Sequence, residues 1–166
     1  SVSSVLVCDD DSDGFIEFDL TNKDSEILNG QVGSEVLYYE DSSFTNPIDK
    51  NTLYQNITNP QTIYVRVVND DTGCVNDNDT FDIVVNPLPD FTVTTPQIVC
   101  LNGPELVLSV ENPAAVYDYQ WTTADGNTII GSQITVSSGG LYTVTGTTID
   151  GTNCSRTREI QVNESI

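Results

Sequence analysis

Short runs in which every second residue is apolar recur along the whole chain. In residues 62–68 the alternation puts Ile63, Val65 and Val67 on one face, and in residues 80–85 it does the same for Phe81, Ile83 and Val85. Successive side chains leave a strand on opposite faces, so a period of two marks a half-buried strand. Residues 2–7, 15–20 and 36–39 read as further strands of the first half, and only residues 24–28 predict a helical turn. The second half repeats the style. Residues 91–94 lead in, followed by Leu106/Leu108/Val110, Tyr117/Tyr119/Trp121, Ile134/Val136, Tyr142/Val144 and Ile160/Val162. Asn46-Pro47, Asn59-Pro60, Asp125-Gly126 and Gly139-Gly140 supply the turns. The expected fold is all-β, as antiparallel sandwiches.

One interruption divides the pattern. Asn86-Pro87-Leu88-Pro89-Asp90 places two prolines around a single residue, which ends strand pairing and stiffens an extended linker. Two tandem modules follow, 1–87 and 88–166. Trp121 near the middle of the second, with Tyr142 in Ser-Gly-Gly-Leu-Tyr-Thr-Val, resembles the core Trp and late-strand Tyr of immunoglobulin-like domains.

Charge narrows the function classes. The chain has 25 acidic and 5 basic residues, a net charge of −20, which argues against nucleic acid and anionic membrane surfaces as partners. No apolar run is long enough for membrane insertion. Residues 1–89 carry 17 acids against 3 bases, and 90–166 carry 8 against 2. The acidic load therefore lies mainly in the first module. There is no His and no Met; without imidazole many catalytic arrangements are excluded, and the chain reads as a non-enzymatic piece of a longer exported protein.

The candidate chemistry is in Cys8-Asp9-Asp10-Asp11-Ser12-Asp13-Gly14-Phe15. Asp9, Asp11, Asp13 and Gly14 have the spacing of positions 1, 3, 5 and 6 of a calcium loop, and Phe15 would add the backbone carbonyl of position 7. Three carboxylates about 5 Å apart repel by roughly 0.8 kcal/mol per pair even at water's dielectric constant, so a Ca²⁺ ion is the expected cofactor. Position 12 is Leu20, not the usual Glu; Glu17 and Asp19 are the nearest substitutes. The strand pattern that follows the loop points to a structural site and not a sensor.

Four cysteines in a Ser/Thr/Asn/Asp-rich chain point to disulfides and an extracellular location. Of the three connectivities, pairing within each module is favoured because the linker separates the halves: Cys8 with Cys74, and Cys100 with Cys154. Such loops would contribute up to roughly 4 kcal/mol each. A Cys8–Cys74 bond would bring Asp70, Asp71, Asp77 and Asp79 beside the aspartate loop, as the natural source of its missing ligands. The sequons at Asn56, Asn78, Asn153 and Asn163 read as chance in so Asn/Thr-rich a chain.

The Cys8-Asp-Asp-Asp-Ser-Asp-Gly-Phe-Ile-Glu-Phe-Asp-Leu run, Val36-Leu-Tyr-Tyr, Gln61-Thr-Ile-Tyr-Val-Arg-Val and Thr72-Gly-Cys together resemble a repeat of Bacteroidetes surface proteins. These are the gliding-motility adhesins and related proteins of the type IX secretion system. The second module resembles the Ig-like or PKD-like repeats beside it, through Tyr119-Gln-Trp-Thr and Gly140-Leu-Tyr-Thr-Val. The resemblance implies a repeat of a cell-surface adhesin whose partners are neighbouring repeats and a surface polysaccharide. The competing reading is a carbohydrate-binding module using Tyr38, Tyr39, Tyr54, Tyr64, Tyr117 and Tyr119 as stacking rings.

Overall fold

The computed structural model describes residues 2–166 and divides into two units, Ser1–Pro87 and Leu88–Ile166. In the first, β1 (Val5–Cys8), β3 (Ser34–Tyr39), β4 (Pro47–Ile48), β6 (Gln61–Asn69) and β7 (Val75–Asn86) form one sheet in the order β1-β7-β6-β3-β4. β2 (Glu17–Phe18) and β5 (Tyr54–Gln55) form a second, short sheet. The alternating residues of β6 and β7 do what their period requires: Ile63, Val65, Phe81, Ile83 and Val85 are buried with Phe18, Leu20, Val36 and Tyr38 in one core. A 3-10 turn (Leu20–Lys23) and α1 (Asp24–Leu28) connect β2 to β3. The turn starts at Asp19, whose carboxylate accepts the Thr21 N–H and so satisfies a donor that the turn leaves unpaired.

The second unit has β8 (Gln97–Cys100), β9 (Leu106–Ser109), β10 (Tyr117–Thr122), β11 (Thr128–Ile130), β12 (Gln133–Val136), β13 (Gly140–Thr148) and β14 (Ser155–Ser165). Its sheets run β11-β10-β13-β14-β8 and β12-β9. Trp121 lies at the centre of its core with no exposed surface. The Trp121 indole donates from Nε1 to the Gly131 carbonyl at 2.9 Å. The Tyr142 hydroxyl donates to the Ser138 carbonyl at 2.9 Å, the local bond of a tyrosine corner. Gly146 is required on packing grounds, because a Cβ there would stand 2.7 Å from the Phe91 ring.

Strand for strand the two units share one plan, with β1, β7, β6, β3 and β4 matched by β8, β14, β13, β10 and β11. Tyr38 pairs with Val65 four residues back from the end of β6, as Trp121 pairs with Val144 four back from the end of β13. Tyr38 therefore occupies the position of the core Trp, and its buried hydroxyl donates to Asp24 Oδ1 at 2.6 Å. Both units are the expected Ig-like sandwiches, with one difference from an all-antiparallel reading. β1 runs parallel to β7, and β8 parallel to β14. Each module's first strand thus crosses to the far edge of its main sheet, a connection that alternation alone does not reveal. No helix among the described residues is long and apolar enough to cross a membrane.

Candidate functional site

The aspartate loop joins β1 to β2. Its first residue is fixed by the sheet, since Asp9 N donates to the Asn86 carbonyl at 2.8 Å, continuing the β1–β7 ladder. Asp9 is almost fully buried. Its Oδ1 accepts the N–H groups of Ser12 at 2.7 Å and Asp11 at 3.1 Å, and its Oδ2 accepts that of Gly14 at 2.7 Å. Asp11 Oδ1 accepts the Asp13 N–H at 3.0 Å, and Asp13 Oδ1 the Phe15 N–H at 2.7 Å. Ser12 and Gly14 are left-handed, at φ 79° and 83°, which the glycine adopts without strain. These turns gather carboxylate oxygens of Asp9, Asp11 and Asp13 within 4.8 Å of one another.

The electrostatics of Asp9 and Asp11 differ. Desolvation works against the Asp9 carboxylate, but the backbone donors of Ser12, Gly14 and Asp11 outweigh it and hold its pKa below the ordinary value. Asp11 receives the Asp13 backbone donor, yet desolvation and the charges of Asp13 and Asp10 prevail, and its pKa is raised. The donor set fits a hard cation. Each carboxylate oxygen has two acceptor positions, so the three carboxylates retain acceptor capacity beyond the backbone donors they bind.

Of the further expected ligands, the Asp19 carboxylate is engaged with Thr21, accepting from its N–H at 3.0 Å and its hydroxyl at 2.6 Å. Glu17 lies on β2, exposed and in register with Gln55. The acidic segment around Cys74 is not brought to the loop. Cys8 is in register with Asn86 at one end of β7, whereas Asp70 and Asp71 lie in the turn before the other end. Asp77 and Asp79 lie on β7 itself, seven to nine residues from Asn86, roughly 23–30 Å along a strand. The carboxylate of Asp77 is paired through two hydrogen bonds with Arg66, at 2.7 and 2.9 Å, and this lowers its pKa. The expectation that this segment completes the shell is therefore corrected.

The same register overturns the expected cysteine pairing. Cys74 immediately precedes Val75, and Cys8 faces Asn86, so the length of β7, roughly 36 Å, separates them. A disulfide needs Cα atoms within about 7 Å. Cys100 and Cys154 are held apart likewise by β14, since Cys100 faces Ser165 and Cys154 precedes Ser155. Cys74 and Cys100 are exposed free thiols. Cys8 and Cys154 are both disulfide-bonded.

Three polar residues that alternation does not single out build the wall behind the loop. Asn56 is buried; its Oδ1 accepts the Ile16 N–H at 2.8 Å, and its Nδ2 donates to the carbonyls of Gly14 and Thr58 at 3.0 and 3.1 Å. Asn59 clasps Val85, donating to its carbonyl at 2.7 Å and accepting its N–H at 3.0 Å. Gln61, also buried, accepts the Ile57 N–H and donates to the Tyr54 hydroxyl at 2.6 Å. Between them they hold the end of β2 and the end of β7 in place. The Asn56 sequon is accordingly an interior amide, and the only sequence signal for it is an Asn beside a turn.

The tyrosines form no stacking platform among the described residues. Tyr38 and Tyr119 are buried. Tyr39, Phe44 and Tyr64 meet edge to face at 83° and 81°, and the Arg66 guanidinium lies 4.4 Å from the Phe44 ring centre. Tyr117 meets Tyr119 at 87°, and the Tyr54 hydroxyl donates to Glu40 at 3.0 Å. A sugar ring stacks on coplanar faces, and these rings give that reading no support.

The chain is similar to the solved structure of Dpr11 IG1 bound to DIP-gamma IG+IG2, at 10% identity over 99% of this chain and 96% of that one, with a TM-score of 0.40. It is similar also to DIP-gamma IG1+IG2, at 11% identity over 99% and 95%, TM-score 0.36. For Sidekick-1 immunoglobulin domains 1-4 the identity is 12% over 98% and 49%, TM-score 0.34. No curated protein matches the chain. Residues 4–89, which hold the aspartate loop and its cysteine, match the model of the Flavobacterium inter-domain disulphide bond domain, and the chain belongs to that family.

Proposed function

We propose that this chain is a non-catalytic pair of Ig-like modules from a repeat-built adhesin at a bacterial cell surface, with disulfide-bonded cysteines at Cys8 and Cys154. The observation that carries it is the state of the four thiols: Cys8 and Cys154 are oxidised while Cys74 and Cys100 are free. The family's description, an inter-domain disulphide bond domain, supports a bonded cysteine in the first module. A disulfide of this kind belongs to an oxidising compartment outside the cytoplasm. Adhesion in gliding and export by the type IX system rest on the sequence resemblance. Ca²⁺ at Asp9, Asp11 and Asp13 would order the loop that follows Cys8.

Alkylation of the unreduced chain followed by mass measurement tests this reading. Cys74 and Cys100 are expected to take up label at once, and Cys8 and Cys154 only after reduction. Label at all four cysteines before reduction would refute it.

A further inference from the structure

The outer strand of a sheet leaves a row of backbone groups unpaired, and such edges are ordinarily blunted with proline or charge. Three of the four main-sheet edges here are blunted in that way. β4 begins at Pro47 and is followed at once by Asp49 and Lys50; β1 runs into Asp9, Asp10 and Asp11; β8 is entered through Pro96. β11 carries none of these. Residues 126–149, which include it, contain no Asp, Glu, Lys or Arg, the longest such run in the chain. Ile129 is 42% exposed and Ile130 82%. The strand is tied to β10 at both ends. The Thr123 N–H donates to the Asn127 carbonyl at 2.8 Å and the Gly131 N–H to the Tyr119 carbonyl at 3.0 Å, with Trp121 and Ile129 in register between them. Bonding direction alternates along an antiparallel pair, so residues 127, 129 and 131 bond β10, and the N–H and C=O groups of Thr128 and Ile130 face away from it. β11 ends its sheet, with no strand beyond it among the described residues.

We infer that β11 is a self-association edge whose occupant is β11 of a second copy of this chain, paired antiparallel about a two-fold axis at Ile129. Thr128 then stands opposite the second copy's Ile130, and Ile130 opposite its Thr128, each a pair that exchanges both N–H···O bonds. A two-fold presents the same patch from both sides, and the side chains suit it. Ile129 lies on the face of Trp121, the core face, so the two Ile129 side chains meet across the axis and continue that face. Thr128 and Ile130 lie on the outer face. Charge selects the occupant. Two copies at −20 repel each other, and they approach with least opposition where no carboxylate meets its like. The uncharged run supplies that place, and β4, the matching edge of the first module, does not. A basic partner strand would call for acidic residues along the edge, and β11 has none. The inference requires neither the disulfide nor the metal.

Sedimentation equilibrium and amide exchange on the whole chain test this. Two strands of three residues make a contact well below the standard interface size, so the mass is expected to rise from one copy at about 10 µM toward two at about 1 mM. Association should strengthen between about 20 mM and about 500 mM NaCl, because salt screens the repulsion between like-charged copies. In the associated state the Thr128 and Ile130 amides should exchange more slowly, while that of Ile129, already bonded to β10, stays as it was. Thr128→Glu/Ile130→Glu sets like charges directly opposite at both pairs and is expected to keep the chain single at every concentration. Both side chains are exposed, so the melt should not move. Thr128→Lys/Ile130→Glu turns the same pairs into Lys against Glu and is expected to restore association. A chain that stays single at the highest concentration and salt, as it would were the edge reserved for a strand of another protein, overturns the inference. Association that leaves the two amides unchanged, that survives the double Glu variant, or that the Lys/Glu variant fails to restore overturns it equally.

Discussion

Trp121→Ala is expected to lower the melting transition of the second module by about 15–30 °C while leaving that of the first in place. The side chain is wholly buried among β10, β13, β14 and the facing short sheet. Removing a buried Trp costs about 3–5 kcal/mol through lost transfer energy and the cavity left behind, and the Gly131 carbonyl loses its indole donor as well. For a module of this size each kcal/mol moves the midpoint by about 4–8 °C. Calorimetry, which does not depend on the lost fluorophore, would show the two transitions drawing apart. A shift of only a few degrees would mean that Trp121 is not the centre of that core.

Asp9→Ala is expected to have the largest effect in the first module, about 2–4 kcal/mol. One carboxylate accepts three backbone N–H groups in the loop, and a donor left without a partner away from water costs about 1–3 kcal/mol. Asp9→Asn, which keeps one oxygen and the side chain's size, should cost less. Calcium separates the structural role from ligation. At a dissociation constant near 10⁻⁴ M, millimolar Ca²⁺ stabilises by about 1.4 kcal/mol, or about 6–11 °C in the melt of this module. Asp11→Asn/Asp13→Asn should abolish that response with little change in the metal-free melt, because both side chains are exposed and their removal relieves repulsion. A wild-type melt indifferent to both added Ca²⁺ and EDTA would remove the metal from the account.

The strands were legible because burial on one face writes itself into the chain at a period of two, as in Ile63/Val65 and Tyr119/Trp121. The loop was legible because Asp9, Asp11, Asp13 and Gly14 are neighbours in sequence. What was not legible depended on register. The parallel pairing of β1 with β7 decides that Cys8 lies at the far end of the sheet from Cys74, and no local pattern encodes which edge a first strand joins. The same register keeps Asp70, Asp71, Asp77 and Asp79 from the loop, because only a Cys8–Cys74 bond would bring them there. Asn56, Asn59 and Gln61 escaped notice for a related reason. Asn56 and Asn59 bond backbone groups of segments remote in the chain, 42 residues away for Asn56 and Gly14 and 26 for Asn59 and Val85, Gln61 bonds the nearer Ile57 and Tyr54, and an isolated polar residue near a turn carries no sign of that.

A peptide map of the 166-residue chain, alkylated and digested without reductant, tests the central claim most directly. Cys8 and Cys154 are expected to be recovered in disulfide linkage and protected from alkylation, with Cys74 and Cys100 both alkylated. Recovery of Cys8 linked to Cys74 and Cys100 linked to Cys154 would contradict it.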